Sequence, residues 1–249
     1  MRTKILYEGV SEYAALQVRR KRGTTTLISG GNFVQSAYRP GKKLQGTVWD
    51  YFLLAPLFAP KPEEVQEICI LGLGVGVAAK LLNRVCKIDR IVGVEIDELV
   101  VSLGRRFFDL DDRNLEVCVQ DAAEYVKKTP RKFDLVLIDT FKDDEFAPGC
   151  SCLEFYSKVT KLLKPGGVVL VNRADTKKQA KTNEEFRLEF PRLFAQCYAL
   201  RIKNNIFYFG LQKPLEKQKI IERIKGLAAQ GEFTGFLKNF NEKNLQAVL

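Results

Sequence analysis

Residues 68–76 read ICILGLGVG, an apolar run that passes into three alternating glycines, Gly72, Gly74 and Gly76. The residues before the first glycine suit a buried parallel strand, and the glycines predict a tight turn into a helix. Such a turn lets backbone N–H groups approach a ligand with no Cβ in the way, and the start of the helix favours negative charge. A second apolar run, RIVGVE, ends at Glu95, where a carboxylate at a strand tip can accept both hydroxyls of an adenosine ribose. The two stretches together predict a site for a nucleoside cofactor.

The spacing of the glycines indicates which nucleoside. A dinucleotide fingerprint requires Gly or Ala at position 77, where this chain has Val77, so the close helix–strand packing of NAD sites is disfavoured. The G-x-G-x-G spacing suits S-adenosylmethionine, which has no pyrophosphate to bind. Glycines also end strands for purely structural reasons, and for the loop taken alone that alternative stays open.

The composition excludes several kinds of site. The chain has 249 residues and no histidine, which excludes Ser-His-Asp and Cys-His catalysis and His-ligated metals. Its six cysteines show no C-x-x-C spacing, and we expect no metal. The longest apolar run, residues 51–59, is too short to span a bilayer and contains Pro56. Because no N-terminal segment looks like a signal peptide, we expect a cytoplasmic protein.

Strand and helix patterns alternate along the chain. A small antiparallel β region is predicted within residues 4–36 and a helix over residues 44–58, and the Lys61-Pro62 pair predicts a boundary between residues 1–60 and a main domain, 61–249. The main-domain strands are predicted at 68–73, 90–95, 115–119, 133–139, 168–172, 197–202 and 206–211, and the helices at 75–85, 97–107, 121–128, 151–163, 183–194 and 214–228.

Repeated strand–helix pairs predict a parallel sheet with helices on both faces. The last two predicted strands are too close in sequence for a helical crossover and should pair as an antiparallel hairpin. The expected fold is therefore α/β: a Rossmann-like, doubly wound, mostly parallel seven-stranded sheet with an antiparallel C-terminal hairpin, preceded by the small N-terminal β region.

Several stretches beyond the glycine turn resemble one known family. The chain is similar to the spermidine synthase-like family, within the class I S-adenosylmethionine-dependent methyltransferase superfamily, over nearly its whole length. The matching stretches are SEYAALQV (11–18), NFVQSAYRP (32–40), GVEID (93–97), QDAAEYV (120–126), FDLVLIDTF (133–141) and LEFYSKVTKLLKPGGVVLVN (153–172).

The resemblance implies a role for each matching polar residue. Gly72, Gly74 and Gly76 would contact the amino-acid tail of the cofactor, and Glu95 would hold its ribose. Asp121 would lie by the adenine, Asp139 would orient or deprotonate the acceptor, and Gln35 would line the same pocket. Simpler interpretations stand beside these: Glu95 as a solvated strand end, Asp121 as a helix cap, Asp139 as a loop residue, and Gln35 as an ordinary hairpin residue. Trp49 and Tyr51 are expected to be core aromatics.

Departures from the polyamine synthase pattern bear on the reaction. The family's glycine loop has an aspartate where Val75 stands, and the acid expected three residues after Asp139 is Lys142. A polyamine needs several matched carboxylates when it is buried, and Asp143 would supply one if its loop folds inward. The sequence therefore favours methyl transfer from S-adenosylmethionine to an unidentified acceptor. Aminopropyl transfer from decarboxylated S-adenosylmethionine, and a non-catalytic nucleoside- or nucleic-acid-binding role, stay open.

The net charge of +10 is unevenly distributed. Residues 1–60 carry +6 and residues 173–249 carry +7, whereas the intervening residues carry −3. Basic runs at 19–22, 42–43 and 177–181 form a candidate surface for phosphate or another anion, so nucleic acid is one partner to test. A small-molecule acceptor is the favoured partner, no membrane is expected, and the resemblance implies a homodimer or larger homo-oligomer.

Overall fold

The computed structural model describes residues 2–84, 86–142, 145–233, 235 and 240–248. An antiparallel four-stranded sheet opens the chain, in the order β1-β2-β3-β4. Its strands are β1 (Lys4–Val10), β2 (Ala15–Lys21), β3 (Thr24–Ser29) and β4 (Phe33–Tyr38). Leu16, Val18 and Leu27 alternate onto one face of this sheet and are buried against the rest of the protein. The predicted N-terminal β region is confirmed.

The segment between the two sheets differs from its prediction. The helix predicted over residues 44–58 is a 3-10 helix, and it begins later, covering Val48–Phe58. Asp50 holds the preceding chain in a turn because its carboxylate accepts hydrogen bonds from the N–H groups of Gln45 and Gly46. Pro56 lacks the N–H that an α-helix would use at that point. The segment is buried on most sides, and Phe58 stacks on Phe209 of the main sheet with ring centroids 3.7 Å apart.

An eight-stranded sheet forms the main part of the molecule, in the order β14-β12-β13-β11-β8-β5-β6-β7. Its strands are β5 (Glu67–Leu71), β6 (Arg90–Glu95), β7 (Leu115–Val119), β8 (Phe133–Ile138), β11 (Leu163–Ala174), β12 (Gln196–Ile202), β13 (Asn205–Leu211) and β14 (Leu245–Val248). The pairs from β11 to β7 are parallel, whereas β13 and β12 form the predicted antiparallel hairpin. Two short strands, β9 (Phe141–Lys142) and β10 (Glu145–Phe146), pair separately.

The count of seven strands was too low by one. β14 pairs antiparallel with β12 and buries Leu245 and Val248. These two apolar residues lie at the ends of a four-residue strand in a polar tail, so no strand periodicity marked them. The doubly wound, mostly parallel α/β fold is otherwise as expected.

Helices cover both faces of the main sheet. They are α1 (Val77–Leu82), α2 (Glu98–Phe107), α3 (Ala122–Lys128), α4 (Leu153–Thr160), α5 (Ala180–Glu189) and α6 (Lys217–Ala229). Alternate residues of β5 pack into two separate apolar clusters: Ile68 and Ile70 into one, Cys69 and Leu71 into the other. The predicted helix at 183–194 begins earlier, at Ala180, and gives way to a 3-10 turn at Phe190–Leu193 that contains Pro191.

The order of the strands determines where a ligand can bind. From β5 the chain moves outward to β6 and β7, then returns to place β8 on the other side of β5. Such a reversal leaves a crevice at the carboxyl ends of the strands, where open α/β sheets bind ligands. The segments after β5, β6, β7 and β8 meet at this edge. Within the described residues, no helix is both long and apolar enough to cross a membrane.

Candidate functional site

A cavity of about 580 Å³ lies at the carboxyl edge of the parallel strands, and the N-terminal sheet contributes to its wall. Gln35 and Ser36 of β4 line it, together with Trp49 from the 3-10 segment. The N-terminal sheet is also attached to the main sheet by the Ser11 hydroxyl, which donates to Asp97 Oδ2 at 2.5 Å. The cavity is large enough for a nucleoside-sized ligand.

The glycine turn forms one wall of this cavity. Gly72 has a φ of +84°, and a Cβ there would lie 2.4 Å from the carbonyl oxygen of Asp139, so the turn and the strand end approach too closely for any side chain. Gly74 has a φ of +57°, and a Cβ there would meet only Ser36 Oγ, at 3.7 Å. Both residues line the cavity. Gly76 is not among the lining residues and packs against Leu110, and its predicted contact with the cofactor stays a prediction.

Glu95 ends β6 and holds the glycine turn in place. Its Oε2 accepts a hydrogen bond from the Gly74 N–H at 2.8 Å, and its Oε1 accepts from the N–H groups of Ile96 and Asp97 at 3.0 and 3.1 Å. Burial raises the pKa of Glu95, and these three hydrogen bonds oppose the rise. A carboxylate has about four acceptor positions, so capacity is left for a ligand hydroxyl. Glu95 therefore lies in the wall of the cavity and is not a solvated strand end.

Two further carboxylates on this wall also cap helices. Asp97 accepts from Leu99 N at 2.9 Å and thereby caps the start of α2. Asp121 accepts from Glu124 N at 2.9 Å at the start of α3. Both line the cavity, so capping and a position at the site are compatible. Asp97 was missed as a site residue, although its place two residues after Glu95 was a signal that could have identified it.

Asp139 follows β8 and lies in a chain of hydrogen bonds. The Asn172 side chain donates to Asp139 Oδ1 at 2.8 Å, and the Asn205 side chain donates to Asn172 Oδ1, also at 2.8 Å. The Trp49 indole also donates to the Asp139 carboxylate. Burial raises the pKa of Asp139 to about 6, and the hydrogen bonds from Asn172 and Trp49 limit the rise. At neutral pH this carboxylate is ionised and can accept a proton.

Three members of this network were missed from the sequence. Trp49 was expected to be a core aromatic; it packs on the core and also lines the cavity. Asn172 ends an apolar strand at the carboxyl edge of the sheet, and that placement was a usable signal. Asn205 begins β13, far along the chain, and no pattern linked it to Asp139. Tyr51 is a core residue, as expected, and stacks on Phe207.

Charge is the most distinctive property of the cavity. Its described wall contains four acidic side chains: Glu95, Asp97, Asp121 and Asp139. No lysine or arginine stands among these lining residues, although the protein as a whole carries +10. Opposite charges within about 4–6 Å favour each other's ionised forms, so this wall attracts a cation. The basic runs at 19–22, 42–43 and 177–181 lie outside the lining.

The remaining predicted positions are placed as follows. Gln35 lines the cavity, consistent with its predicted role. Val75 is fully buried in the apolar cluster beneath the glycine turn and does not line the cavity. Asp143 lies outside the described residues, so its predicted contact with the acceptor stays a prediction. Among the residues described, no group of carboxylates and thiols forms a metal site.

Comparisons with known proteins agree with this architecture. A profile described as the spermine/spermidine synthase domain matches residues 54–223. The chain is 33% identical over 171 residues to the probable polyamine aminopropyl transferase of Bifidobacterium longum. The aligned region covers 68% of this chain and 37% of the Bifidobacterium protein. It is 40% identical over 110 residues to the polyamine aminopropyltransferase of Thermoplasma volcanium. Here the aligned region covers 42% of this chain and 40% of the Thermoplasma protein. The chain thus spans well under half the length of these curated relatives.

Solved structures share the fold at low identity. Spermidine synthase from Thermotoga maritima superposes with a TM-score of 0.75 at 17% identity, over 96% of this chain and 82% of that one. Human methyltransferase-like protein 13, in complex with SAH, superposes with a TM-score of 0.58 at 20% identity, over 78% of this chain and 91% of that one. The structural likeness therefore supports the fold, and the profile match over more than half of the chain supports the family. The chain belongs to the spermine/spermidine synthase family.

Proposed function

We propose that this protein is an aminopropyltransferase, which transfers the aminopropyl group of decarboxylated S-adenosylmethionine to an amine. The observation that carries the proposal is the acidic character of the cavity wall, whose described lining contains four aspartate or glutamate residues and no lysine or arginine. The names of the curated relatives also support this reaction over the methyl transfer that the sequence favoured.

The donor's tail is where the two reactions differ. S-adenosylmethionine carries a carboxylate, which would need a cation or free N–H groups, whereas the decarboxylated form ends in an ammonium group. The described wall offers no cation, and the Gly74 N–H already donates to Glu95. An added carboxylate would therefore meet no cation on the described wall and would be repelled by its acidic side chains, whereas an ammonium group would be attracted to them. The carboxylate-free donor fits this wall better.

Each residue would then have a separate role. Glu95 would accept the ribose hydroxyls, Asp121 would lie near the adenine, and the backbone of Gly72 and Gly74 would border the tail. Asp139 would orient the acceptor amine, with Gln35 on the acceptor's side of the pocket.

The chemistry needs alignment and one proton acceptor. The donor's sulfonium makes the adjacent methylene carbon electrophilic, so the amine nitrogen forms the new N–C bond while the C–S bond breaks and its electron pair stays on sulfur. The products are the alkylated amine and methylthioadenosine. The proton that the amine loses would pass to Asp139, whose pKa of about 6 leaves it ionised at neutral pH.

Methyl transfer is the second candidate reaction, and one observation favours it. Val75 is apolar and fully buried at the position where the resemblance implies a loop aspartate for the aminopropyl ammonium group. Without that acid, the ammonium group of the donor would depend on the acids that remain on the wall.

The products distinguish the two reactions. The purified chain would be incubated with each donor and a mixture of amines, and the nucleoside products separated by chromatography. We expect methylthioadenosine from the decarboxylated donor and no S-adenosylhomocysteine from S-adenosylmethionine, with Asp139→Asn as the inactive control. Release of S-adenosylhomocysteine alone would contradict the proposal and support methyl transfer.

A further inference from the structure

The turn between β1 and β2, residues 11–14, reaches the cavity from the N-terminal sheet. It opens the stretch SEYAALQV, the first of those that match the family. Tyr13 and Ala14 of this turn line the cavity, together with Ile96, which follows Glu95 at the end of β6. The turn is therefore part of the site and not only a connection between two strands.

Ser11 fixes the conformation of this turn and attaches it to the main sheet. Its Oγ accepts hydrogen bonds from the N–H groups of Tyr13 and Ala14, both at 3.1 Å, and its own N–H donates to the Ala14 carbonyl oxygen at 2.9 Å. The same hydroxyl donates to Asp97, which is itself fixed because it caps α2. A short turn held at several points has little conformational freedom, so the backbone that carries Tyr13 is positioned before a ligand binds.

The Tyr13 side chain lies close to the acidic part of the cavity wall. Partial burial raises the pKa of its phenol, and so do the carboxylates of Glu12, Asp97, Asp121 and Glu95. Because charge interactions fall off over about 10 Å, the phenol is near three of the four acids that line the cavity. Two of these three acids are the ones proposed above for the ribose and the adenine. Tyr13 therefore stands at the end of the cavity proposed for the adenosine part of the donor.

Three apolar side chains are exposed at this cavity. Tyr13 is 39% exposed, Ile96 38% and Val34 45%, and all three line the cavity. Large apolar side chains grouped at a concave site mark a surface that a ligand covers. A purine has flat apolar faces that stack on aromatic rings, whereas an aminopropyl tail and a polyamine contain no ring. The adenine is thus the part of the substrates that suits this surface.

We propose that Tyr13 is a donor-binding residue whose ring packs on the adenosine part of the donor, and that Ser11 is a positioning residue that holds Tyr13 there through its hydrogen bond to Asp97. The proposal rests on the proposed donor site and adds the N-terminal sheet to it. Tyr13 supplies the contact, and Ser11 acts only through the turn.

Binding of methylthioadenosine, measured by calorimetry, tests the contact, because this nucleoside carries the adenosine part without the aminopropyl tail. We expect Tyr13→Ala to raise the dissociation constant at least about tenfold, and Tyr13→Phe to keep it within about twofold, since the ring makes the contact. Val10→Ala is the matched control, because Val10 is an apolar residue beside the same turn, is 77% exposed and does not line the cavity. An unchanged dissociation constant in Tyr13→Ala would overturn the inference.

Decarboxylated S-adenosylmethionine, titrated in parallel, separates the possible failures. We expect Tyr13→Ala to weaken the binding of both nucleosides by the same factor. A loss confined to the decarboxylated donor would place Tyr13 against the tail and overturn the assignment to adenosine, while the proposed function would stand. If neither nucleoside bound to the parent protein, the proposed function would fall and this inference with it.

A double-mutant cycle tests the positioning role of Ser11. We expect Ser11→Ala to weaken methylthioadenosine binding about threefold to tenfold, and Ser11→Thr, which keeps the hydroxyl, to retain most of the affinity. When Tyr13 is already alanine, Ser11→Ala should add less than about twofold, because Ser11 acts through Tyr13. An equal effect of Ser11→Ala with and without the tyrosine ring would limit Ser11 to a structural role and overturn its part of the proposal.

Discussion

The glycine turn with Glu95 and the surroundings of Asp139 are two halves of one cavity, yet they are built in different ways. The first half comes from two consecutive strand ends, β5 and β6, and is held by local backbone hydrogen bonds such as that from Gly74 N to Glu95. The second joins β8 to residues far away in the chain, Trp49, Asn172 and Asn205. We therefore expect changes in the first half to affect donor binding and folding, and changes in the second to affect turnover.

The largest effect is expected at Asp139. Asp139→Asn removes the proton acceptor while keeping the shape of the side chain, so kcat should fall by about 10²- to 10⁴-fold. Donor affinity, measured by calorimetry, should change little. A variant that keeps its turnover would remove Asp139 from the chemistry.

The same variant should be at least as stable as the parent protein. Because the folded-state pKa of Asp139, about 6, lies above the ordinary aspartate pKa of 3.8, ionisation opposes folding at higher pH. Replacement by Asn should therefore raise the free energy of unfolding above pH 6, by about 1 kcal/mol. This gain should disappear below about pH 3, where the carboxyl is protonated in both states. Denaturant unfolding at about pH 3 and pH 8 measures the difference, and a loss of stability at pH 8 would contradict the account.

The two cavity glycines should respond differently to the same substitution. In Gly72→Ala the new Cβ would lie 2.4 Å from the Asp139 carbonyl oxygen, so we expect a loss of about 3 kcal/mol or more in the free energy of unfolding. Gly74→Ala meets no close neighbour and should cost about 1 kcal/mol, owing to its positive φ, while donor affinity falls because the methyl group enters the cavity. Denaturant unfolding and calorimetry on both variants make the comparison. Equal unfolding free energies would show that the close approach of the Asp139 carbonyl does not require glycine at position 72.

Glu95→Gln tests the first half of the cavity. The change keeps the size of the side chain but replaces one of the two acceptor oxygens with an NH₂ donor. This donor would face another donor, either the Gly74 N–H or a ribose hydroxyl. We expect donor affinity to fall by about 10- to 100-fold, with a smaller effect on kcat for bound donor. Glu124→Gln on the exposed face of α3 is the control. An unaltered dissociation constant would place the ribose elsewhere.

The smallest effect is expected at Asn205, which acts through Asn172. Asn205→Ala frees the Asn172 amide to rotate and weakens the hydrogen bond that favours the ionised form of Asp139. The pKa of Asp139 should therefore rise above 6, and kcat should fall about threefold to tenfold at pH 7. The acid limb of the pH–rate profile, set by loss of the carboxylate near pH 6 in the parent protein, should shift upward. An unmoved limb would limit Asn205 to a structural role.

The two halves of the cavity also differ in how well the sequence predicts them. The glycine turn, Glu95 and the Asp97 cap were predictable because each depends on neighbours close in sequence. Strand alternation predicted the order of the main elements, but not β14, whose pairing with β12 depends on contacts across the chain. The segment at residues 44–58 was predicted to be helical, but the sequence did not reveal its 3-10 geometry, because its apolar residues are buried on several sides and form no single helical stripe.

The catalytic side of the site was less predictable. Asp139 was marked by its place after an apolar strand, whereas its donors, Trp49 and Asn172, come from the 3-10 segment and from β11, and Asn172 is held in turn by Asn205 of the C-terminal hairpin. Conversely, Gly76 matched the motif but packs against Leu110 and is not among the lining residues, because the spacing of glycines does not reveal which of them borders the cavity. The boundary at residue 60, the oligomeric state and the cellular location stay predictions.

Calorimetric titration of the protein with decarboxylated S-adenosylmethionine and with S-adenosylmethionine, under identical buffer conditions, tests the central claim most directly. An acidic wall that accepts an ammonium tail predicts that the decarboxylated form binds at least about tenfold more tightly, a difference of about 1.4 kcal/mol. Equal affinity, or tighter binding of the carboxylate-bearing form, would contradict the account.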